Sequence, residues 1–156
     1  MSHGSTAYRS QTSVRTSAIT GSRAESCVLL LIVAGALFRV LAAANVGLGY
    51  GESYHFSCAV RPNLSYFDHP PMAVLLSFVG MSVTGSMELL AVRAPFIMMF
   101  AGTTWILFCL GRKFFGAWEG FYAALLLNLS AVFTLSPGIF IQSDGPLMFF
   151  WLLCTA

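Results

Sequence analysis

The chain has 156 residues, of which 57% are apolar and only 9% are Asp, Glu, Lys or Arg, and its formal net charge is +2. Soluble domains carry roughly a quarter charged residues, so a soluble globular fold is excluded, and so small a net charge gives no reason to expect nucleic acid as a partner. Uncharged runs such as CVLLLIVAGALF (Cys27–Phe38) lack the alternation of a membrane β-barrel, which leaves an all-α integral membrane protein as the fold class.

Residues 1–26 are rich in Ser, Thr and Arg, hold one acid and show no apolar period. A disordered tail is expected there, on the cytoplasmic side, because Arg9, Arg15 and Arg23 follow the positive-inside bias. A transit peptide has the same composition, and a secretory signal ending near LAAAN fits loosely, although Arg39 interrupts its apolar stretch. The first span is expected at about 27–47. Arg39 lies about 18 Å along it at 1.5 Å per residue, where a cation costs on the order of 2.5–3.5 kcal/mol. Either its head snorkels to the outer headgroups, or it meets a lipid phosphate or an outer-loop carboxylate.

An outer loop, 48–91, follows. In YGESYHF (Tyr50–Phe56), Glu52 and His55 stand three apart and would share a helical face; a solvated helix with aromatic anchors accounts for them equally well. In SYFDHPP (Ser65–Pro71) the prolines suit a helix start and Asp68 complements the helix dipole, but capping leaves His69 unexplained. The uncharged run Pro70–Met87 is 18 residues long. If it crosses the membrane, Arg112 and Lys113 fall on the outer face, and Asp68 and Asp144 on opposite sides. If it lies on the surface as a juxtamembrane helix over about 70–84, Arg112 and Lys113 face the cytoplasm and Glu52, Asp68, Glu88 and Asp144 gather outside. Its opening prolines, Gly80 and polar end favour the surface helix.

Further spans are expected at 92–111, at 117–136 and from 145 to 156. Glu88 and Arg93 flank the second, and Arg93 is placed for a phosphate or for headgroups. Asp144, in QSDGPL, suits a helix cap. The last run is still apolar at Ala156, as in the N-terminal part of a longer protein. Cys27, Cys58, Cys109 and Cys154 lie far apart without a CxxC, so neither zinc nor a disulfide framework is indicated, and Cys58 is expected to be unpaired. Asn63 heads a sequon in the outer loop that a eukaryote could glycosylate; the one at Asn128 falls inside a span.

In order, GESYHF, LSYFDHPPMAVLL, MELLAVRAPF, GRKFFG and SDGPLMFFWLL resemble the N-terminal part of glycosyltransferase family 39-like membrane proteins. That family includes protein O-mannosyltransferases, aminoarabinose transferases acting on lipid A and rhizobial Rgt-type transferases. The resemblance implies a GT-C fold, a polyprenyl-phosphate-linked sugar as donor, a hydroxyl acceptor, and chemistry on the periplasmic or lumenal face of a membrane, most simply the bacterial inner membrane. It matches Asp68, Asp144, His69 and Arg93 to family positions. The charge that transfer develops then asks for a carboxylate to take the acceptor's proton, Glu52 or Asp68, with Asp144 a further catalytic acid, and for cations at the departing phosphate: His69, Arg93 and Arg39, or a divalent metal ion held by Asp144 and Asp68. Where family members usually carry an Asp-Glu pair, this sequence reads Gly51-Glu52, so either Glu52 or another carboxylate serves as base or this copy is impaired. The competing readings are a non-catalytic membrane protein whose acids cap helices, and an inactive truncated remnant of such a transferase.

Overall fold

The computed structural model describes residues 4–63, 66, 67 and 69–156, with side chains from residue 21 onward. The described residues form seven helices and no strand: α1 (Gly4–Asn45), α2 (Tyr50–Val60), α3 (Pro71–Thr84), α4 (Leu89–Phe114), α5 (Ala117–Leu129), α6 (Ala131–Ile139) and α7 (Asp144–Thr155). Two stretches are long and apolar enough to cross a bilayer, Gly21–Asn45 with mean hydropathy 2.5 and Leu89–Phe114 with 1.7. Helices α5 and α6 make a third only as a pair bent by 75°. The outer face of α1 exposes Leu30, Leu37 and Leu41. Such a face suits acyl chains, because a helix satisfies its own backbone in lipid. The chain is an all-α membrane protein.

The charged residues reveal the direction of each helix. Arg112, on the last turn of α4, pairs with Glu25 of α1. Arg93, near the start of α4, donates to the carbonyls of Ala43, Val46 and Gly47 where α1 finishes. Helices α1 and α4 therefore run antiparallel, and the segment joining them returns to the end of the bundle that it left. Were residues 70–87 to span the membrane, the two ends of that segment would lie at opposite ends of the bundle. Instead α3, about 21 Å long at 1.5 Å per residue, buries Ala73, Val74 and Met81 against Val92 and Phe96 of α4 and Ile141 beyond α6.

Close approach depends on small residues, as is usual between membrane helices. Pro95 has no N–H to give the Ala91 carbonyl. Helix α3 meets that carbonyl with Gly80, where an added Cβ would overlap the Ala91 oxygen and lie 3.1 Å from the Pro95 ring. At the other end a Cβ on Gly111 would fall 2.6 Å from the Gly120 Cα, so α4 and α5 touch there backbone to backbone.

Three expectations are corrected. Helix α1 extends back to Gly4, so the segment read as a disordered tail is helical over its described part, continuous with the span that follows it. The third span is broken at Ser130 instead of running straight to 136. Arg39 does not snorkel: it is 3% exposed. Its Nη2 donates to Asn128 Oδ1 at 3.1 Å and Thr134 Oγ1 at 3.2 Å, with the guanidinium 4.1 Å from the Phe100 ring centre. Asn128 in turn donates to Thr104 Oγ1 and the Ala124 carbonyl, and the Thr134 hydroxyl donates to the Asn128 carbonyl. The bend frees main-chain polar groups, which lipid cannot satisfy, and the clasp bonds one of them, the Asn128 carbonyl.

A labelling experiment checks the antiparallel arrangement. In a background without the four native cysteines, Glu88→Cys and Gln142→Cys are expected to react with an impermeant thiol reagent from one side of the membrane only, and Lys113→Cys only from the other. Labelling of positions 142 and 113 from the same side would contradict it.

Candidate active site at the head of the helix bundle

Glu52 is the third residue of α2, one turn after the connection from α1, so its carboxylate can reach back to the main chain before the helix. Oε2 accepts from the Gly49 N–H at 3.0 Å and Oε1 from the Ile141 N–H at 3.0 Å. Arg93 engages the same two oxygens as a fork, Nε to Oε1 at 2.9 Å and Nη2 to Oε2 at 2.6 Å. The remaining N–H groups of Arg93 go to Ala43, Val46 and Gly47 at 2.9, 2.6 and 3.0 Å, which caps carbonyls left over at the end of α1. All five guanidinium donors and about four carboxylate acceptor sites are thereby occupied.

This saturation corrects two assignments. Arg93 is fully buried and has no N–H left for a donor phosphate. Glu52 has no free lone pair for an acceptor's proton. Burial pushes the Glu52 carboxyl up, but the Arg93 hydrogen bond, the Gly49 and Ile141 amides and the charge of Arg93 outweigh it and hold the pKa below the ordinary 4.5. A carboxylate so held is a weaker base, not a stronger one. Arg39 is also removed from the phosphate role, since it belongs to the clasp at the α5–α6 bend and does not line the cavity described next.

Beside the Glu52–Arg93 pair opens a cavity of about 510 Å³, whose wall includes Gly51, His55, His69, Gln142, Ser143 and Asp144. That volume lies within the usual range of small-ligand sites. Residues from the start of α2, from the approach to α3 and from the start of α7 meet here although they lie far apart in sequence. His69 comes from the turn before Pro70, and its ring centre lies 4.9 Å from that of His55 and 5.3 Å from that of Tyr54. Asp144 is exposed in the first turn of α7 and has no side-chain partner among the described residues.

Asp68, expected both as a catalytic acid and as a metal ligand, lies outside the described residues. Among those described, no three His, Cys, Asp or Glu side chains converge in a way that could hold a metal ion. Asp144 alone is too few ligands for a divalent cation, so no step is routed through one. Sequence reasoning did not place Gln142, Ser143 or Ile141 at the site. The available signal was the short polar QSD step between two apolar helices. His55 carried a signal in its shared face with Glu52 but was not taken as a site residue.

The pair generates two expectations. Arg93→Ala leaves a buried carboxylate uncompensated and should cost about 3–5 kcal/mol of stability, read as a large fall in the detergent unfolding temperature. Because the folded pKa of Glu52 is depressed, its contribution is complete above the ordinary value of 4.5 and is lost as pH falls from there through the folded pKa. The wild-type melting temperature should therefore drop on acidification in that window, with a smaller drop in Glu52→Gln. Identical acid sensitivity in the two proteins would contradict this account.

Comparison with known proteins agrees with what the residues suggest. Neither a curated protein nor a solved structure matches the chain. The family model for dolichyl-phosphate-mannose-protein mannosyltransferase matches residues 68–156, more than half of the sequence. The match takes in His69, the whole of α3 and α4 and the Asp144 turn, so the chain belongs to this family of mannosyltransferase-type membrane glycosyltransferases.

Proposed function

We propose that the cavity moves a sugar from a polyprenyl-phosphate donor to a hydroxyl acceptor on the extracytoplasmic face of a membrane. Family membership supports the reaction class. The single observation that carries the location is the cavity itself, which gathers His69 and Asp144 at one end of an apolar bundle while Arg112 and Lys113 occupy the end where α4 finishes. The positive-inside bias supports reading the latter end as cytoplasmic and the cavity as lying on the opposite side.

Charge dictates what each residue would do. Transfer breaks the bond from sugar C1 to a phosphate oxygen, so negative charge grows on the departing lipid phosphate and positive charge on the sugar ring. His69, when protonated, donates to the phosphate. Asp144, exposed and unpartnered, holds the sugar by hydrogen bonds and offsets the positive charge at C1. Groups fixed before the reaction cost little reorganisation as it proceeds. The prenyl chain lies along the apolar helix faces, which remain in lipid throughout. A single displacement by the acceptor oxygen inverts the anomeric centre.

The test uses the full-length protein in proteoliposomes, dolichyl-phosphate-mannose as donor probe and labelled mannose reaching a hydroxyl acceptor as readout. Asp144→Asn is expected to lower transfer about 100-fold or more with helix content and membrane insertion unchanged. Transfer within about threefold of wild type would remove Asp144 from the chemistry. A wild-type protein that binds the donor and never transfers would favour a non-catalytic member of the family.

A further inference from the structure

We infer that His55 is the proton acceptor of this site. The inference rests on the transferase reading above and adds a catalytic residue to it. His55 Nδ1 lies 2.9 Å from the Gly51 carbonyl oxygen, one helical turn back. A carbonyl only accepts, so Nδ1 carries the proton, and in the neutral ring Nε2 is left with its lone pair. Nε2 is buried and has no hydrogen-bond partner among the described residues, and His55 as a whole is only 5% exposed. An unsatisfied buried acceptor is a cost to the fold, and an O–H presented from the adjoining cavity, whose wall includes His55, would relieve it.

The surroundings point the same way. Glu52, the acid nearest in sequence, is fully bonded and unavailable. Gly51 offers no side chain, and a Cβ placed on it meets nothing within 4 Å, so the wall beside His55 has room for a substrate group. Among the described residues, the groups facing the imidazole are His69 edge-on at 4.9 Å between ring centres, Tyr54 at 5.8 Å and the Gly51 carbonyl, with Glu52 one turn back on the same helix. Asp144 lies across the cavity. In the step itself the acceptor O–H bond breaks as its oxygen bonds to sugar C1. The proton passes to His55 Nε2, and the electrons of the C1–O bond leave with the lipid phosphate. The imidazolium formed later returns its proton to water. Carbonyl anchoring of Nδ1 holds the ring in one tautomer through the cycle, as general-base histidines require.

The experiment compares wild type, His55→Asn, Gly51→Asp and the double variant carrying both changes in the same proteoliposomes, with dolichyl-phosphate-mannose as the probe and its binding measured separately. Asparagine retains a group able to donate to the Gly51 carbonyl and removes the Nε2 acceptor. His55→Asn is expected to lose about 100-fold or more in kcat, with KM for the donor within about threefold and the acid limb of the pH–rate profile abolished. The added carboxylate, placed one turn back on the same face where space is open, should restore part of the rate lost in His55→Asn while adding little to the wild-type protein; an equal gain from Gly51→Asp in both backgrounds would show that it acts independently of His55 and would overturn the inference. Transfer by His55→Asn within threefold of wild type overturns the inference and leaves the transferase reading standing. Loss of transfer in Asp68→Asn with His55→Asn still active would do the same and move the base to Asp68. A wild-type protein that binds the donor without transferring removes both.

Discussion

The guanidinium of Arg93 and the carboxylate of Glu52 hold each other at 2.6 and 2.9 Å while each also holds main-chain groups of other segments. Through Arg93 the pair fixes the end of α1 to the start of α4. Through Glu52 it fixes the approach to α2, at Gly49, and the strand of chain after α6, at Ile141. Four pieces of the chain thus meet at one ion pair. Removing two charges from water is expensive, and the return depends on geometry and on how many remaining donors and acceptors find partners. Here none of the five guanidinium N–H groups is left over, which is the condition under which a buried pair is tolerated. An apolar substitute of similar volume could fill the space, but it could not specify which carbonyls of α1 lie against α4.

A second polar cluster performs the corresponding task deeper in the bundle. The α5–α6 pair turns by 75° at Ser130, and a bend within an apolar helix exposes backbone groups that lipid cannot satisfy. Arg39, Asn128, Thr104 and Thr134 bond to one another, and the Thr134 hydroxyl donates to the Asn128 carbonyl that the bend frees. Arg39 also lies over Phe100 and against Gly138. The bend then delivers Ile141 to Glu52 and Asp144 to the cavity. One cation at mid-span is what lets a broken helix present its far end at the site. The same logic applies to Pro95, whose missing donor leaves a carbonyl that only a glycine-bearing neighbour can approach.

Much of this was legible in the sequence, and the part that was not has a common cause. Hydropathy gave the helices, and the scarcity of charge gave their directions: Arg112 and Lys113 at one end and the carboxylates of Glu52, Glu88 and Asp144 at the other allow few arrangements. The proline pair and the SDG step marked the starts of α3 and α7 to within a residue or two. Side-chain partnership was not legible. Spacing within a helix shows which residues share a face, but Arg93 and Glu52 are 41 positions apart and nothing local relates them. Read alone, a cation at the end of a span suggests a phosphate. Only the count of donors against available carbonyls shows that this one is already fully bonded. The break at Ser130 escaped notice for the same reason, since the residues that stabilise it come from α1, α4 and α6 together.

Saturation is then a better guide to role than burial. Glu52, Arg93 and His55 are all at most 5% exposed, and burial alone would group them. Glu52 and Arg93 have no bonding capacity left, so a ligand could engage them only by dismantling the junction of four segments. His55 differs in one atom: Nδ1 is anchored and Nε2 is not. A protein with only six acids and eight Lys and Arg residues keeps an imidazole nitrogen unsatisfied, beside a cavity, with its tautomer fixed by the main chain. Folding gains nothing from that arrangement. A hydroxyl group arriving in the cavity would supply the missing donor and lose its proton by the same contact.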